Sequence, residues 1–169
     1  MDLLERLLGH DRATTTELLA LCARLPEKQL DQQFDIGWRS LRGILGHMVR
    51  NVEIWTDLML ERSPRTGPAG ESLAELRGRF EHAYAEFGAL ARRVQAEGQL
   101  DALWIDVLDR PPRQKSYGGG IAHVITHNMH HRAALIHVLR RLGVPGVPEG
   151  DLIGWEQRLG GVAKGNNAS

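Results

Sequence analysis

The sequence has one cysteine, no net charge and no long hydrophobic run, and each of these absences excludes a class of protein. The single cysteine among 169 residues, Cys22, excludes an internal disulfide and favours a reducing cytoplasm. Lys and Arg total 21 and Asp and Glu total 21, so the basic excess of a nucleic-acid-binding protein is missing. No stretch approaches the roughly 20 apolar residues of a membrane span, and the N-terminal residues lack the apolar core of a signal peptide. We therefore expect a cytoplasmic protein with no nucleic-acid or membrane partner.

Histidine is unusually frequent in the sequence, whereas the aromatic residues Trp, Tyr and Phe are few. The chain has eight histidines, against four Trp, two Tyr and three Phe. Hydrophobic residues make up 42% and charged residues 25%, which is typical of a globular protein. The length fits one domain. We expect that domain over residues 1–159, followed by a flexible C-terminal tail over residues 160–169.

Helical periodicity of the apolar residues marks four long segments, separated by stretches rich in proline and glycine: Leu3–Leu25, Ser40–Glu61, Ser72–Glu97 and Gly119–Leu142. Ser40 is positioned to cap the second segment, and Ser72 with Glu75 has the spacing of a capping box. A short apolar run over residues 103–108 is compatible with a brief β-strand. Four amphipathic helices in one small domain predict an all-α fold, a four-helix bundle whose apolar faces pack together.

The predicted second and fourth helices carry histidines on their apolar faces. On a helical wheel of the fourth helix, His131 lies roughly 20° and His127 roughly 60° from the centre of the apolar arc, while His123 lies roughly 100° away, at the margin. On the second helix, His47 and Asn51 lie one turn apart inside the arc. Because facing helices of a bundle converge in its interior, we predict one metal site formed by His47, His127 and His131.

The chemistry of imidazole suits such a site. Neutral imidazole nitrogen binds Zn, Ni, Cu, Co and Fe(II). Three protein ligands leave a position for water or substrate, as in catalytic rather than structural zinc sites. Two alternatives stay open from the residues alone: histidines hydrogen-bonded to each other in the core of a purely structural bundle, and a solvated surface pair.

Two segments of the chain resemble a known family. SLRGILGHMVRNVEIW contains His47, and HVITHNMHHRAALIHVLRRLGVP contains His127 and His131. Together they are similar to the DinB family, within the DinB/YfiT-like group whose members are expected to be metalloenzymes. The resemblance implies a bundle with up-down-down-up connectivity, a homodimer, and metal ligation by these same three histidines. Relatives often have His-Arg-Gly-Gln after the last ligand, whereas this chain has His131-Arg132-Ala133-Ala134.

The resemblance also suggests a function. Members of the wider superfamily include transferases and isomerases that depend on a low-molecular-weight thiol such as mycothiol or bacillithiol. It therefore implies a divalent transition metal, with Zn or Ni preferred and Fe, Co, Mn or Cu as alternatives, and a small-molecule substrate that includes such a thiol. We interpret the chain as a metal-dependent transferase or hydrolase. The alternative is a non-catalytic metal-binding or stress-response protein of the same fold.

No catalytic residue is assigned from the sequence, but some residues near the three histidines are candidates for supporting roles. Asn51 could orient His47 or a metal-bound water, or make an ordinary core hydrogen bond. His123 could support the site or replace one ligand. Arg132 could contact an anionic substrate, although a salt bridge at the surface or at a dimer interface is the preferred interpretation. The four tryptophans are interpreted as packing the bundle ends or a dimer interface, with lining a substrate pocket as the alternative.

Overall fold

The structure is a computed structural model that describes residues 1–67 and 72–165. Its elements, in chain order, are α1 (Leu3–Cys22), α2 (Glu27–Leu30), α3 (Leu41–Met59), α4 (Leu73–Ala96), β1 (Leu103–Asp106), β2 (Arg113–Ser116), α5 (Tyr117–Arg141) and α6 (Leu152–Gly165). The four long helices are the four predicted from periodicity. None of the described helices combines the length and the apolarity that crossing a membrane requires.

Serine side chains fix where two of the long helices, α3 and α4, begin. The Ser40 hydroxyl accepts a hydrogen bond from the amide of Gly43 at the start of α3. At α4, the Ser72 hydroxyl accepts from the amide of Glu75, while the Glu75 carboxylate accepts from the amide of Ser72. These bonds satisfy amides that have no partner within the helix. Both predicted caps are confirmed.

The long helices α1, α3, α4 and α5 form a bundle in which α3 and α1 each pack against both α4 and α5. Their shared core is a continuous cluster of buried apolar side chains that includes Leu18, Met48, Phe80, Phe87 and Val124. The all-α prediction is confirmed. The up-down-down-up connectivity and the homodimer stay predictions. For the site, the important result is that α3 and α5 are neighbours.

A two-stranded hairpin precedes α5 and anchors its first turn. Strands β1 and β2 pair antiparallel, with Trp104 opposite Lys115. The Trp104 ring is buried and meets the Trp55 ring of α3 edge-on, with 5.8 Å between the ring centroids. At the end of β2, the hydroxyl of Ser116 accepts from the amide of Gly119 and caps α5. The hairpin thereby ties the beginning of α5 to α3.

The sequence did not predict α6, which packs against α1. Trp155 of α6 is 7% exposed and lies against Gly9, where an added Cβ would come within 2.8 Å of the indole ring. Its ring also contacts the His10 ring, at 5.9 Å between centroids. Gly154, Gly160 and Gly161 weaken the helical signal. Of the predicted tail, residues 160–165 belong to α6 and residues 166–169 lie outside the described residues.

Candidate metal centre

Three histidines from two neighbouring helices converge between α3 and α5. His47 lies on α3, and His127 and His131 lie one turn apart on α5. The Nε2 atoms of His47 and His127 are 2.8 Å apart, and those of His127 and His131 are 3.0 Å apart. One ligand atom from each of the three residues lies within 4.8 Å of the other two. These are the three histidines predicted to converge, and together they could hold one metal ion.

The exposure of the α5 histidines follows the helical wheel. His131 is 9% exposed, His127 is half-buried, and His123 is exposed. His130 and His137, which point away from the apolar arc, are also exposed. Successive residues of a helix turn by about 100°, so the wheel orders these side chains from the core to the solvent. The group of three is therefore buried at His131 and open toward solvent at His127.

Hydrogen bonding alone cannot satisfy this arrangement. An imidazole Nε2 carries either one proton or one lone pair, so it makes one good hydrogen bond. The Nε2 of His127 faces two other Nε2 atoms at hydrogen-bond distance. One of these two contacts would therefore lack a proton or a lone pair. A cation accepts all three lone pairs at once, and three imidazoles are a donor set that first-row divalent metals accept. The residues present fit a metal ion.

The histidines of the group are neutral at pH 7. Burial, reinforced by the neighbouring imidazoles, lowers the pKa of His47 and that of His131 to about 4. The pKa of His127 is also lowered, first by burial and then by the nearby His123 and His130. Removing an imidazole from water disfavours its charged form. Each ring therefore keeps a free lone pair at neutral pH, which is the form that binds a metal.

Trp38 covers one face of the His47 ring. The two rings stack at 4.1 Å between centroids, with an interplanar angle of 18°. Trp38 lies in the irregular segment before α3, where Arg39 has a positive φ of 62°. An added Cβ at Gly43 would collide with the carbonyl of Trp38, so glycine at this position permits the close approach. That the tryptophans pack the bundle ends or a dimer interface, or alternatively line a substrate pocket, stays a prediction.

His123 lies beside the group of three and outside it. Its ring stacks on that of His127 at 5.2 Å between centroids and contacts the Trp55 ring at 4.3 Å. The Nζ of Lys115 lies over the same Trp55 ring, 4.9 Å from its centroid. Burial, and then the charge of Lys115, lower the pKa of His123. Among the described residues, His123 does not join the converging ligand atoms.

Asn51 lies one turn beyond His47 on the same face of α3. It is 7% exposed, and its Nδ2 has no hydrogen-bond partner among the described residues. The Nδ2 of Asn51 therefore makes neither of the two predicted contacts, one with the site and the other an ordinary core hydrogen bond, among the described residues. The buried position itself agrees with the helical wheel.

Arg132 is buried and paired within its own chain, which corrects the predicted surface or dimer salt bridge. It is 2% exposed and forms an ion pair with Asp11 of α1, which is fully buried. Asn128, one turn before Arg132, donates from Nδ2 to the same carboxylate at 3.0 Å. Asp11 could not be predicted from the sequence because its partners are more than 100 residues away along the chain. The sequence does contain one sign of this cluster: Asn128 and Arg132 are polar residues four apart on the predicted fourth helix, and Asp11 is a charged residue within the first.

This buried cluster of Asp11, Asn128 and Arg132 lies next to the histidines along α5. Asn128 follows His127 in the sequence, and Arg132 follows His131. The histidine pair therefore faces α3, while the Asn–Arg pair, turned by about 100°, faces α1. Burial lowers the pKa of Arg132, but the guanidinium stays protonated at neutral pH opposite the Asp11 carboxylate. The ion pair thus fixes which face of α5 is turned toward α1.

Comparison with known proteins assigns the chain to a family. No protein with a curated description matches the sequence. The crystal structure of a DinB-like protein from Bacillus subtilis is similar, with a TM-score of 0.62 and 17% sequence identity over 86% of this chain and 96% of that chain. At that identity the similarity establishes the fold alone. The sequence model of the DinB family matches residues 2–153, a range that contains all three converging histidines, and the chain therefore belongs to the DinB family.

Proposed function

We propose that His47, His127 and His131 bind one divalent transition metal ion, Zn or Ni by preference and Fe, Co, Mn or Cu as alternatives. The observation that carries this proposal is the contact of the His127 Nε2 with two other Nε2 atoms, at 2.8 and 3.0 Å, which hydrogen bonds cannot satisfy together. The low pKa values of the rings support it, because neutral imidazoles need not lose a proton before they bind the ion.

We further propose that the protein is a metal-dependent enzyme, an S-transferase that uses a low-molecular-weight thiol. A metal held by three protein ligands has room for one more, and it favours the thiolate form of a bound thiol over the thiol. In the transfer, the sulfur forms a bond to a carbon of the acceptor. The leaving group of the acceptor departs with the electron pair of the broken bond, and the thiol proton passes to solvent.

The residues of the chain have separate roles in this proposal. The three histidines hold the ion, and the half-buried His127 marks the side from which a small molecule arrives. The Trp38 ring restricts the imidazole of His47 by stacking on it. The buried Cys22 has a pKa raised to about 12 by burial, so its thiol is protonated and does not compete as a nucleophile. A reducing cytoplasm, where such thiols are abundant, is the proposed location.

Metal analysis tests the site directly. Untagged protein is loaded with Zn or Ni, dialysed and analysed for metal by mass spectrometry. We expect one ion per chain in the wild type and in His137→Ala, which changes an exposed histidine of the same helix. We expect the ion to be lost in His127→Ala. Wild-type protein that retains no ion, or a His127→Ala variant that retains it fully, would overturn the proposed site.

A thiol screen tests the enzyme. The metal-loaded protein is offered mycothiol, bacillithiol, glutathione and coenzyme A, each with an electrophilic acceptor. Turnover with any one thiol that disappears in His127→Ala supports the S-transferase. A protein that holds its ion but is silent with all four thiols would instead be a non-catalytic metal-binding or stress-response protein of the same fold.

A further inference from the structure

A groove of about 430 Å³ opens beside His47, on the face of α3 that Trp38 and the start of α4 border. His47 lines it, and so does Arg50, three residues further along the helix. Residues three apart on a helix are neighbours on one face, with roughly 5–6 Å between their Cβ atoms. Arg50 and His47, one of the three converging histidines, therefore present neighbouring side chains to the same groove.

The charges of the groove favour an anion. Arg42, Arg79 and Asp31 also line it, and both of these guanidinium groups are engaged by carboxylates: Arg42 by Asp31 and Glu27, and Arg79 by Glu53. Arg50 differs from both. Its Nη1 donates to the backbone carbonyl of Arg65 at 2.9 Å, and it forms no ion pair with any described residue. One guanidinium charge in the wall is therefore uncompensated within the part of the chain that the structure describes.

The groove is kept open by a glycine in the middle of α3. Gly46 lines it one residue before His47, and a Cβ added there would meet no atom within 4 Å. Glycine is a poor residue for a helix interior, and no close backbone contact requires it at this position. The side chain of Trp38, which is 50% exposed, offers an apolar ring beside the same space.

We propose that this groove binds an anionic group of the thiol substrate, a carboxylate or a phosphate ester, with Arg50 as its partner and the Trp38 ring against the carbon chain. The inference rests on the proposed thiol chemistry and adds the substrate class to it. The planar fork of a guanidinium donates two parallel hydrogen bonds to the oxygens of such a group. Arg50 is a specificity residue in this proposal, and the three histidines remain the metal ligands.

Binding of matched thiols to cobalt-loaded protein tests the proposal without turnover. A thiolate that binds cobalt(II) gives a charge-transfer absorbance band, so dissociation constants follow from titration. The probes are 3-mercaptopropionate, 2-mercaptoethyl phosphate and the neutral 3-mercaptopropionamide, which has nearly the shape of the first. A hydrogen bond between charged groups is stronger than one to a neutral amide, so we expect an anionic probe to bind about ten- to a hundredfold more tightly than the amide, a difference of about 1.4–2.8 kcal/mol.

Variants at Arg50 test whether its guanidinium causes the preference for anionic probes. We expect Arg50→Met to bind the anionic probe and the amide with nearly equal affinity, while Arg50→Lys, which keeps the charge but not the fork, retains part of the preference. The preference for carboxylate or for phosphate identifies the anionic group. Circular dichroism and bound cobalt confirm that each variant is folded and loaded.

Gly46→Leu tests the groove independently of Arg50, by filling it from the helix side. We expect it to weaken all three probes. Gly160→Leu is the matched control, because Gly160 is an exposed glycine inside α6 whose added Cβ also meets no atom within 4 Å, and none of the lining residues of the groove belongs to α6. We expect this control to bind like the wild type.

Two outcomes separate this inference from the function on which it rests. If the wild type binds all three thiols and the preference for the anions is absent, or is unchanged in Arg50→Met, the assignment of Arg50 is wrong while the thiol proposal stands. If the cobalt-loaded wild type gives no thiolate band with any probe, the thiol proposal itself fails, and the inference fails with it.

Discussion

Removing the Asp11 carboxylate should destabilise the protein more than a typical surface substitution. Asp11 is fully buried and Arg132 is 2% exposed, so Asp11→Ala leaves a guanidinium charge in the core without its counter-ion. The variant also takes away the acceptor of the Asn128 amide. Breaking a buried ion pair by deleting one partner costs about 3–5 kcal/mol. For a chain of this length, the unfolding entropy converts that cost into a fall in Tm of about 8 to 14 °C.

The assay is thermal unfolding of metal-free protein at pH 7, followed by circular dichroism. Metal is left out because binding would add its own stabilisation. The matched control is Glu81→Ala, which breaks the exposed pair of Arg77 and Glu81 on α4, at 3.0 Å. Exposed pairs of this kind contribute little, so the control should lower Tm by no more than about 2 °C.

A double variant separates the stranded charge from lost packing. In Asp11→Leu with Arg132→Met, both charges are replaced by apolar side chains, and such replacements are often neutral. We expect it to recover most of the Tm that Asp11→Ala loses. If Asp11→Ala lowers Tm no more than Glu81→Ala does, or if the double variant is as unstable as Asp11→Ala, the reasoning from a buried charge is refuted.

Three further predictions concern pH, the packing of α6 and the cap of α4. The pKa of His47 and of His131 is about 4 in the folded protein, against about 6.5 in the unfolded chain. Between these values the unfolded chain binds more protons, so the free energy of unfolding of metal-free protein should fall as the pH falls from about 6.5 to 4. Urea midpoints measure this, and a dependence no steeper than in His47→Gln would contradict it. Gly9→Val should push Trp155 away, because even a Cβ comes within 2.8 Å of the ring; a red-shifted tryptophan emission is expected, and a wild-type spectrum would count against the contact. Ser72→Ala should lower Tm by about 1 to 6 °C through loss of the capping box, whereas an unchanged Tm would show that the cap adds no stability.

The long helices could be predicted because their apolar residues repeat with the helical period and their caps have recognisable side chains. The boundaries were less accurate. The first helix ends at Cys22 rather than at Leu25, since the chain turns at residues 23–25 before Pro26 caps the short α2. The fourth begins at Tyr117, because Ser116 caps it from the end of β2. These boundaries depend on local hydrogen bonds, which periodicity does not report.

The parts that were missed depend on contacts between distant segments. Helix α6 contains glycines that weaken its signal, and its Trp155 packs on Gly9, near the other end of the chain. The stacking of Trp38 on His47 depends on an irregular segment with a positive φ at Arg39, which no periodicity describes. The three histidines were found because each lies on the apolar face of a long regular helix, where a helical wheel places side chains accurately.

The same geometry links the cluster of Asp11, Asn128 and Arg132 to the three converging histidines. Helix α5 carries two polar stripes, His127 with His131 and Asn128 with Arg132, and a rotation of about 100° separates them. Both stripes are fixed to one rigid helix, so any rotation of α5 that breaks the contact with Asp11 also moves the imidazoles relative to His47. The helix packs on α1 through one stripe and on α3 through the other. The orientation that satisfies the buried charge is thus the orientation that brings the three Nε2 atoms together. Burying this polar cluster carries a desolvation penalty. In return the cluster selects one rotation of α5 about its axis, and the apolar face alone would define that rotation less precisely.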